Sequence, residues 1–346
     1  MSGRFLPALL AASLLLAACG NTTVSTTDAL SDTWLWNGSD WVQAQSTTTP
    51  PPRSASAFAY DDATKQVVLF GGVKYDSNDR MNDTWTWDGD SWTLQHPKTS
   101  PSPRSHAAMV YDPALHSLLL FGGTFAGIFC RYESDPEVVP CRPSTDVWAW
   151  NGSDWKQLSA KFLATWMGSV GSGIAYDYPS RRVVAVGCCG TDTGIETWTW
   201  DGSTWKQQPF QNVGCCFDFI FNDRVSGRLS AIANFQLSDG SLDKYLLRWS
   251  GVVWVRGAQI VLPRTPKSPY DSWPAGYAYD AQRGEVVALG GGCPDSPGME
   301  TWTFDGSTWN LMRPEHVPPA RLQAYTAFDA ARGTVVMFGG VDNSSC

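Results

Sequence analysis

Cysteines and arginines carry most of the chemical reach in this chain. Of its nine cysteines, Cys130 and Cys141 share one loop-like stretch. Cys188-Cys189 and Cys215-Cys216 are doublets, and Cys293 and Cys346 stand alone. Eight cysteines beyond Cys19, in a chain with an export signal, read as disulfides: Cys130–Cys141, two bonds between the doublets, and Cys293–Cys346. The pairing inside the doublets stays open. A thiolate metal site built from the doublets competes with this reading. Its usual C-x₂-C spacing is absent, so no metal is assigned.

Arg53, Arg104 and Arg321 recur at one point of a repeat. Ser169, Cys215 and Ser272 fill that point in the other copies. An arginine fork suits a carboxylate. One reading is an anion- or sugar-binding mouth, with Trp166 and Trp273 offering aromatic faces. The other pairs each arginine with a recurring acid, at Asp32, Asp83, Asp146, Glu196 or Glu300. A repeated base with a repeated acid favours the ion pair. Only four histidines are present, His96, His106, His116 and His316, in separate copies or loops. No G-x-S-x-G elbow occurs. Glu196 and Glu300 stand where Asp83 does, which makes them repeat residues rather than a catalytic pair. No catalytic residue is assigned and no cofactor is expected.

The elements that hold these residues follow from one phrase. Trp34-Leu35-Trp36-Asn37-Gly38-Ser39-Asp40-Trp41 returns at Trp85 to Trp92, Trp148 to Trp155, Trp198 to Trp205, Trp249 to Trp254 and Trp302 to Trp309. Sixteen of the 18 tryptophans lie in these copies. Each reads as a hairpin of strands c and d. Its Asn-Gly or Asp-Gly supplies residues that tolerate positive φ. Trp34 and Trp36 share one face of strand c.

Before each later hairpin stands an apolar strand a, a polar turn, an apolar strand b and a glycine pair, as in Ala55 to Gly72. A period of about 50 residues built on one hairpin means one blade per copy. The chain opens on an unpartnered c–d half and closes on an unpartnered a–b half. Pairing the two closes a ring and removes its open edge. The expected fold is an all-β, six-bladed β-propeller over residues 32–346, with one composite blade.

Arg53, Tyr60-Asp61, Gly71-Gly72 and Asn82-Asp83-Thr84-Trp85 together resemble the kelch repeat, and the likeness runs from about Asp32 to Gly340. Blade five departs most, with Asn222 for the tyrosine and Asn234-Phe235 for the glycine pair. The resemblance implies a propeller like the central domain of galactose oxidase or the body of bacterial sialic-acid epimerases. Fold alone does not select between such chemistries. Galactose oxidase-like copper chemistry needs two His and two Tyr beside a thioether-forming Cys, and the scattered histidines do not supply them.

The N-terminus reads as an address. Arg4 precedes an apolar run from Leu6 to Ala18, too short to span a membrane comfortably. Leu16-Ala17-Ala18-Cys19-Gly20 resembles the lipobox of bacterial lipoproteins. Residues 1–18 then form a signal peptide, Cys19 the lipidated first residue, and 19–31 a flexible tether. A diacylated terminus suffices for stable anchoring. The expected location is the bacterial cell envelope, on the extracytoplasmic side. A net charge of −8 with no basic cluster excludes a nucleic-acid binder.

These features point to a monomeric, non-enzymatic, membrane-tethered propeller. It would bind a protein or a glycan through the loops between strands b and c. The alternative is a carbohydrate-active enzyme such as a kelch-type sugar epimerase. Lipidation has its own test. Cys19→Ala is expected to leave the membrane fraction and to lose metabolic labelling by palmitate, and retention in the membrane would refute the anchor.

Overall fold

The computed structural model describes residues 29–74, 79–124, 144–162, 173–188, 195–211, 216–236, 242–260, 276–290 and 298–342. They form twenty-six strands in six antiparallel sheets. Five sheets are continuous in sequence. The sixth runs Trp41–Gln43, Ala29–Trp36, Thr334–Asp342, then Arg321–Leu322 and Tyr325–Asp329. Trp34 faces Met337 and Trp36 faces Val335 across the seam. The composite blade is therefore present. Its strand c starts at Ala29, inside the stretch read as tether.

The innermost strands settle the count. Ala57–Asp61, Ser105–Asp112, Gly173–Asp177, Cys216–Asp223, Gly276–Asp280 and Tyr325–Asp329 touch one another in that order, and the last touches the first. This is a closed six-bladed β-propeller.

Burial explains why the sheets stack. The core divides into six hydrophobic clusters, one for each junction between neighbouring blades. The tryptophan hairpin fills the junction with the blade before it, as when Trp36 and Trp41 meet Ala278, Val287 and Leu289 of blade six. Within each hairpin the flanking residues pair directly: Trp36 with Trp41, Trp87 with Trp92, Trp150 with Trp155, Trp200 with Trp205 and Trp249 with Trp254. Their ring centroids lie 5.2–5.6 Å apart, tilted by 41–50°. In blade six Phe304 replaces the first indole. Each large aromatic removes about 150–250 Å² from water.

The hairpin turns differ from expectation in one respect. Positive φ falls on the glycine alone, at 100° for Gly38 and 94° for Gly306. The preceding Asn or Asp is instead a side-chain acceptor. Asn37 Oδ1 receives the N–H groups of Ser39 and Asp40, and Asp305 Oδ1 those of Ser307 and Thr308. Such Asx contacts satisfy the turn's backbone locally. Blade five also departs differently from the repeat than the sequence suggests. Pairing of Ala231 with Leu247 puts Ala233-Asn234, not Asn234-Phe235, in the glycine slots, because Leu69 pairs with Trp85 in blade two.

A second bond links the blades. The strand d indole donates to a threonine on strand c of the preceding blade: Trp41 to Thr301, Trp92 to Thr33, Trp155 to Thr84 and Trp254 to Thr197, at 2.8–3.2 Å. At the two remaining junctions this slot holds Val147 and Leu246. There the buried N–H groups of Trp205 and Trp309 have no partner among the described residues. A buried donor without an acceptor costs about 1–3 kcal/mol. Val147→Thr is therefore expected to stabilise the protein by about 1 kcal/mol, and Thr84→Val to destabilise it by about 1–3 kcal/mol. Urea denaturation measures both, and midpoints unmoved in the two variants would count against the bond.

Candidate functional site

The ring has two unlike rims. On one, every a–b connection and every c–d connection is four residues long, from 37–40 and 62–65 through 305–308 and 330–333. The opposite rim carries the b–c loops and the d–a linkers. Its b–c loops are 75–79, 125–145, 189–194, 237–241 and 291–299. Variable loops on a rigid scaffold are where binding usually resides.

Three of the six blades have a common clasp at the base of this rim. Arg53 bonds Asp83 with both terminal nitrogens, at 2.7 and 2.8 Å. Arg104 grips Asp146, and Arg321 grips Asp32, in the same bidentate way. Each Nε donates to the carbonyl two residues earlier, of Pro51, Ser102 or Pro319. One terminal nitrogen also reaches the first glycine carbonyl of the pair, at Gly71, Gly122 or Gly339. The indole two residues after each acid donates to the same carboxylate at 2.7 Å, from Trp85, Trp148 and Trp34. All three arginines are fully buried. Of the two sequence readings, the structure displays the ion pair.

The clasp explains two backbone features. Two residues after each arginine the chain turns through the left-handed region, at Ala55, His106 and Gln323. That kink brings strand a against the second glycine of the pair. A Cβ on Gly72 would lie 2.7 Å from the Ser54 carbonyl oxygen, and one on Gly340 2.7 Å from that of Leu322. Only glycine fits so close to a neighbouring backbone.

The carboxylates respond to this setting. Burial pushes the pKa values of Asp32 and Asp146 up, yet the hydrogen bonds and charge of the facing arginine, with the indole bond, hold both below the ordinary 3.8. The corresponding acids of blades four and six are Glu196 and Glu300. They accept the indole N–H of Trp198 at 3.4 Å and Trp302 at 3.0 Å.

Blade five solves the same problem with its charges reversed, which the sequence did not reveal. A bulge between Phe217 and Phe219 turns Asp218 of the inner strand inward. Lys244 on strand c bonds Asp218 and also Asn234 Oδ1, the latter at 2.7 Å. Asn234 Nδ2 returns to Asp218 Oδ1 at 2.6 Å. Tyr277 of blade six donates to Asp218 at 3.4 Å, and burial together with that acid pushes the phenol well above its ordinary pKa. Asp218 has no exposed side-chain surface and Lys244 only 9%. The off-register lysine and the bulge hide this cluster from a repeat alignment.

The other predicted residues scatter. His106 is half-buried at the kink, 3.1 Å from Ser105 Oγ, and burial with the Arg80 charge lowers its pKa. His116 takes the left-handed position of an a–b turn on the opposite rim, and His96 is exposed in a linker. His316 meets Asp40 at 2.8 Å across 276 positions, with Glu315 beside them. Hydrogen bonding to Asp40 raises the His316 pKa, and His316 in turn lowers that of Asp40. The same linker-to-hairpin latch recurs between Thr99 and Asp154. Cys188 ends one strand and Cys216 begins another. The side chains of those two, and Cys19, Cys130, Cys141, Cys189, Cys215, Cys293, Cys346, Trp166 and Trp273, lie outside the described residues.

Comparison with known proteins supports the architecture. The solved structure of YjhT, a kelch-type propeller, superposes with a TM-score of 0.52 at 12% identity, covering 85% of this chain and 95% of that one. At that identity the likeness shows the fold alone. An 81-residue stretch, 22% of the chain, is 38% identical to part of dynein regulatory complex subunit 7 of Chlamydomonas reinhardtii, of which it covers 7%. No family model matches the chain.

Removing one half of a buried pair leaves an uncompensated charge. Arg321→Ala is expected to cost about 3–5 kcal/mol. Arg321→Lys should recover little of it, because one ammonium cannot serve two carboxylate oxygens and two carbonyls together. Asp32 has a depressed folded pKa, so the clasp's contribution is present above the ordinary aspartate value and is lost as pH falls through the lowered one. The stability gap between wild type and Arg321→Ala should therefore narrow in acid. Urea melts at neutral and acidic pH measure it, and a gap that widens would refute the assignment.

Proposed function

We propose that the chain is a membrane-tethered, extracytoplasmic propeller that binds a protein or a glycan through the rim of its b–c loops. The observation that carries this reading is the contrast between the rims. One is held to four-residue turns throughout, while the other varies from the short 75–79 to the long 125–145. The clasps lie beneath this variable rim. Each ties the start of strand a, the end of strand b and the start of strand c, the strand ends from which a b–c loop springs. Variation above a fixed base is the arrangement of a binding surface.

The tether belongs to the same proposal and rests on Cys19 and the apolar run before it. The epimerase alternative needs arginines free at the channel mouth. The pairing and full burial of Arg53, Arg104 and Arg321 weigh against it.

The test removes one loop and keeps the clasp beneath it. Replacing residues 125–143 by a four-residue turn leaves Ser144, Asp146 and Arg104 in place. The thermal midpoint is expected to stay within a few degrees. Signals that the wild-type protein gives on a glycan array, or with surface-displayed peptide libraries, should be lost. Identical signals from the shortened protein would sink the proposal.

A further inference from the structure

Blade five departs from the repeat at a second place, on the turn rim, far from the loops discussed above. The b-strand slot that holds Val68, Leu119, Val184, Val287 and Val336 in the other blades holds Ser230 here. Those five aliphatics are buried in the hydrophobic clusters between blades. Ser230 is equally buried, and its hydroxyl has no partner among the described residues. Directly across from it on strand c stands Arg248, where the other blades carry Leu35, Thr86, Ala149, Thr199 or Thr303. Arg228 lies two residues before Ser230, on the same face of the sheet.

Arg228 and Arg248 border a groove of about 510 Å³ between blades five and six. Its walls include Arg228, Arg248, Ser226 and the hairpin turn Asp305, Gly306 and Ser307. The groove exists because a neighbour is short. At the next two junctions Arg283 and Arg332 lie over the hairpin glycines Gly38 and Gly89. The equivalent residue here is Ser226, and Gly306 faces open space. The Ser226 hydroxyl is also buried without a partner among the described residues.

Neither Arg228 nor Arg248 makes a hydrogen bond or ion pair with any described residue. The two acids on the walls keep their charge, but neither bonds an arginine. Asp223 Oδ1 holds the N–H groups of Val225 and Ser226, and Asp305 Oδ1 those of Ser307 and Thr308, so both are committed to their own turns. Two unpaired guanidinium forks beside the orphaned Ser226 hydroxyl, in one concavity, fit an anionic oxygen group. We propose that the groove between blades five and six is a binding site for an oxyanion, borne by a phosphate, a sulfate or a carboxylate. Arg228 and Arg248 grip the anion, and Ser226 adds a hydroxyl.

Titration calorimetry with inorganic phosphate, sulfate and glucuronate at low ionic strength tests the site on the whole chain. At least one of the three is expected to bind. The pair Arg228→Gln and Arg248→Gln should weaken it by about tenfold or more, equivalent to about 1.4 kcal/mol. Arg224→Gln, an exposed arginine outside the groove, should bind as wild type does. The preferred anion identifies the source: glucuronate for a carboxylate, phosphate or sulfate for an ester. Binding of none of the three, an unchanged affinity in the double variant, or an equal loss in Arg224→Gln would each overturn the proposal.

Discussion

Every blade of this protein has two apolar faces, and no blade can bury both by itself. The pairing of Ala29–Trp36 with Thr334–Asp342 resolves this for the whole chain. It brings the N-terminal hairpin and the C-terminal strands into one sheet, so that the first and last blades become neighbours and all six junctions are covered. Without the seam, two wedge faces rich in indole and aliphatic surface would meet water, and two strand edges would stand open. The Arg321–Asp32 clasp crosses the same seam, joining residues 289 positions apart. Ring closure is thus held by a backbone ladder, by apolar packing and by a buried charge pair, each made from opposite ends of the chain.

The repeat provides a template against which its own departures can be read. Clasps of arginine, aspartate, tryptophan and a glycine pair occur in blades one to three. Blade five uses an aspartate on the inner strand and a lysine on strand c. Both arrangements satisfy a carboxylate and a cation together, as burial demands. The indole–threonine bonds follow the same logic. They are made at four junctions and missing at the two where Val147 and Leu246 replace the acceptor. One side-chain hydroxyl decides whether the neighbouring blade's donor is paired.

Most of the architecture was legible because it lives inside the repeat. The tryptophan hairpins, the glycine pairs and the unmatched halves at the two ends are patterns of fixed spacing. Six blades and a composite sheet follow from counting them. The arginines and acids were legible as a recurring pair for the same reason. Contacts made between repeats were not. His316 meets Asp40 across the junction of blades six and one, and Tyr277 meets Asp218 across that of blades five and six. The second depends on the bulge at Asp218, which a periodic reading cannot find. The Asn and Asp of the hairpin turns show another limit. The residue type marked the turn correctly, but its acceptor oxygen mattered rather than its tolerance for positive φ.

The two rims answer to different constraints. Directly paired aromatic residues flank every c–d turn, and an aspartate capping backbone N–H groups opens the a–b turns, so length there is fixed by packing and hydrogen bonding on both sides. Change on that rim has to come through side chains at constant backbone, and Ser226, Ser230 and Arg248 are such changes. On the opposite rim the b–c connections differ in length, from 75–79 to 125–145, so change there comes as inserted chain. A propeller built this way can acquire binding surfaces on either side by separate routes. The groove between blades five and six and the long loop above blade three are each the form of variation that their own rim permits.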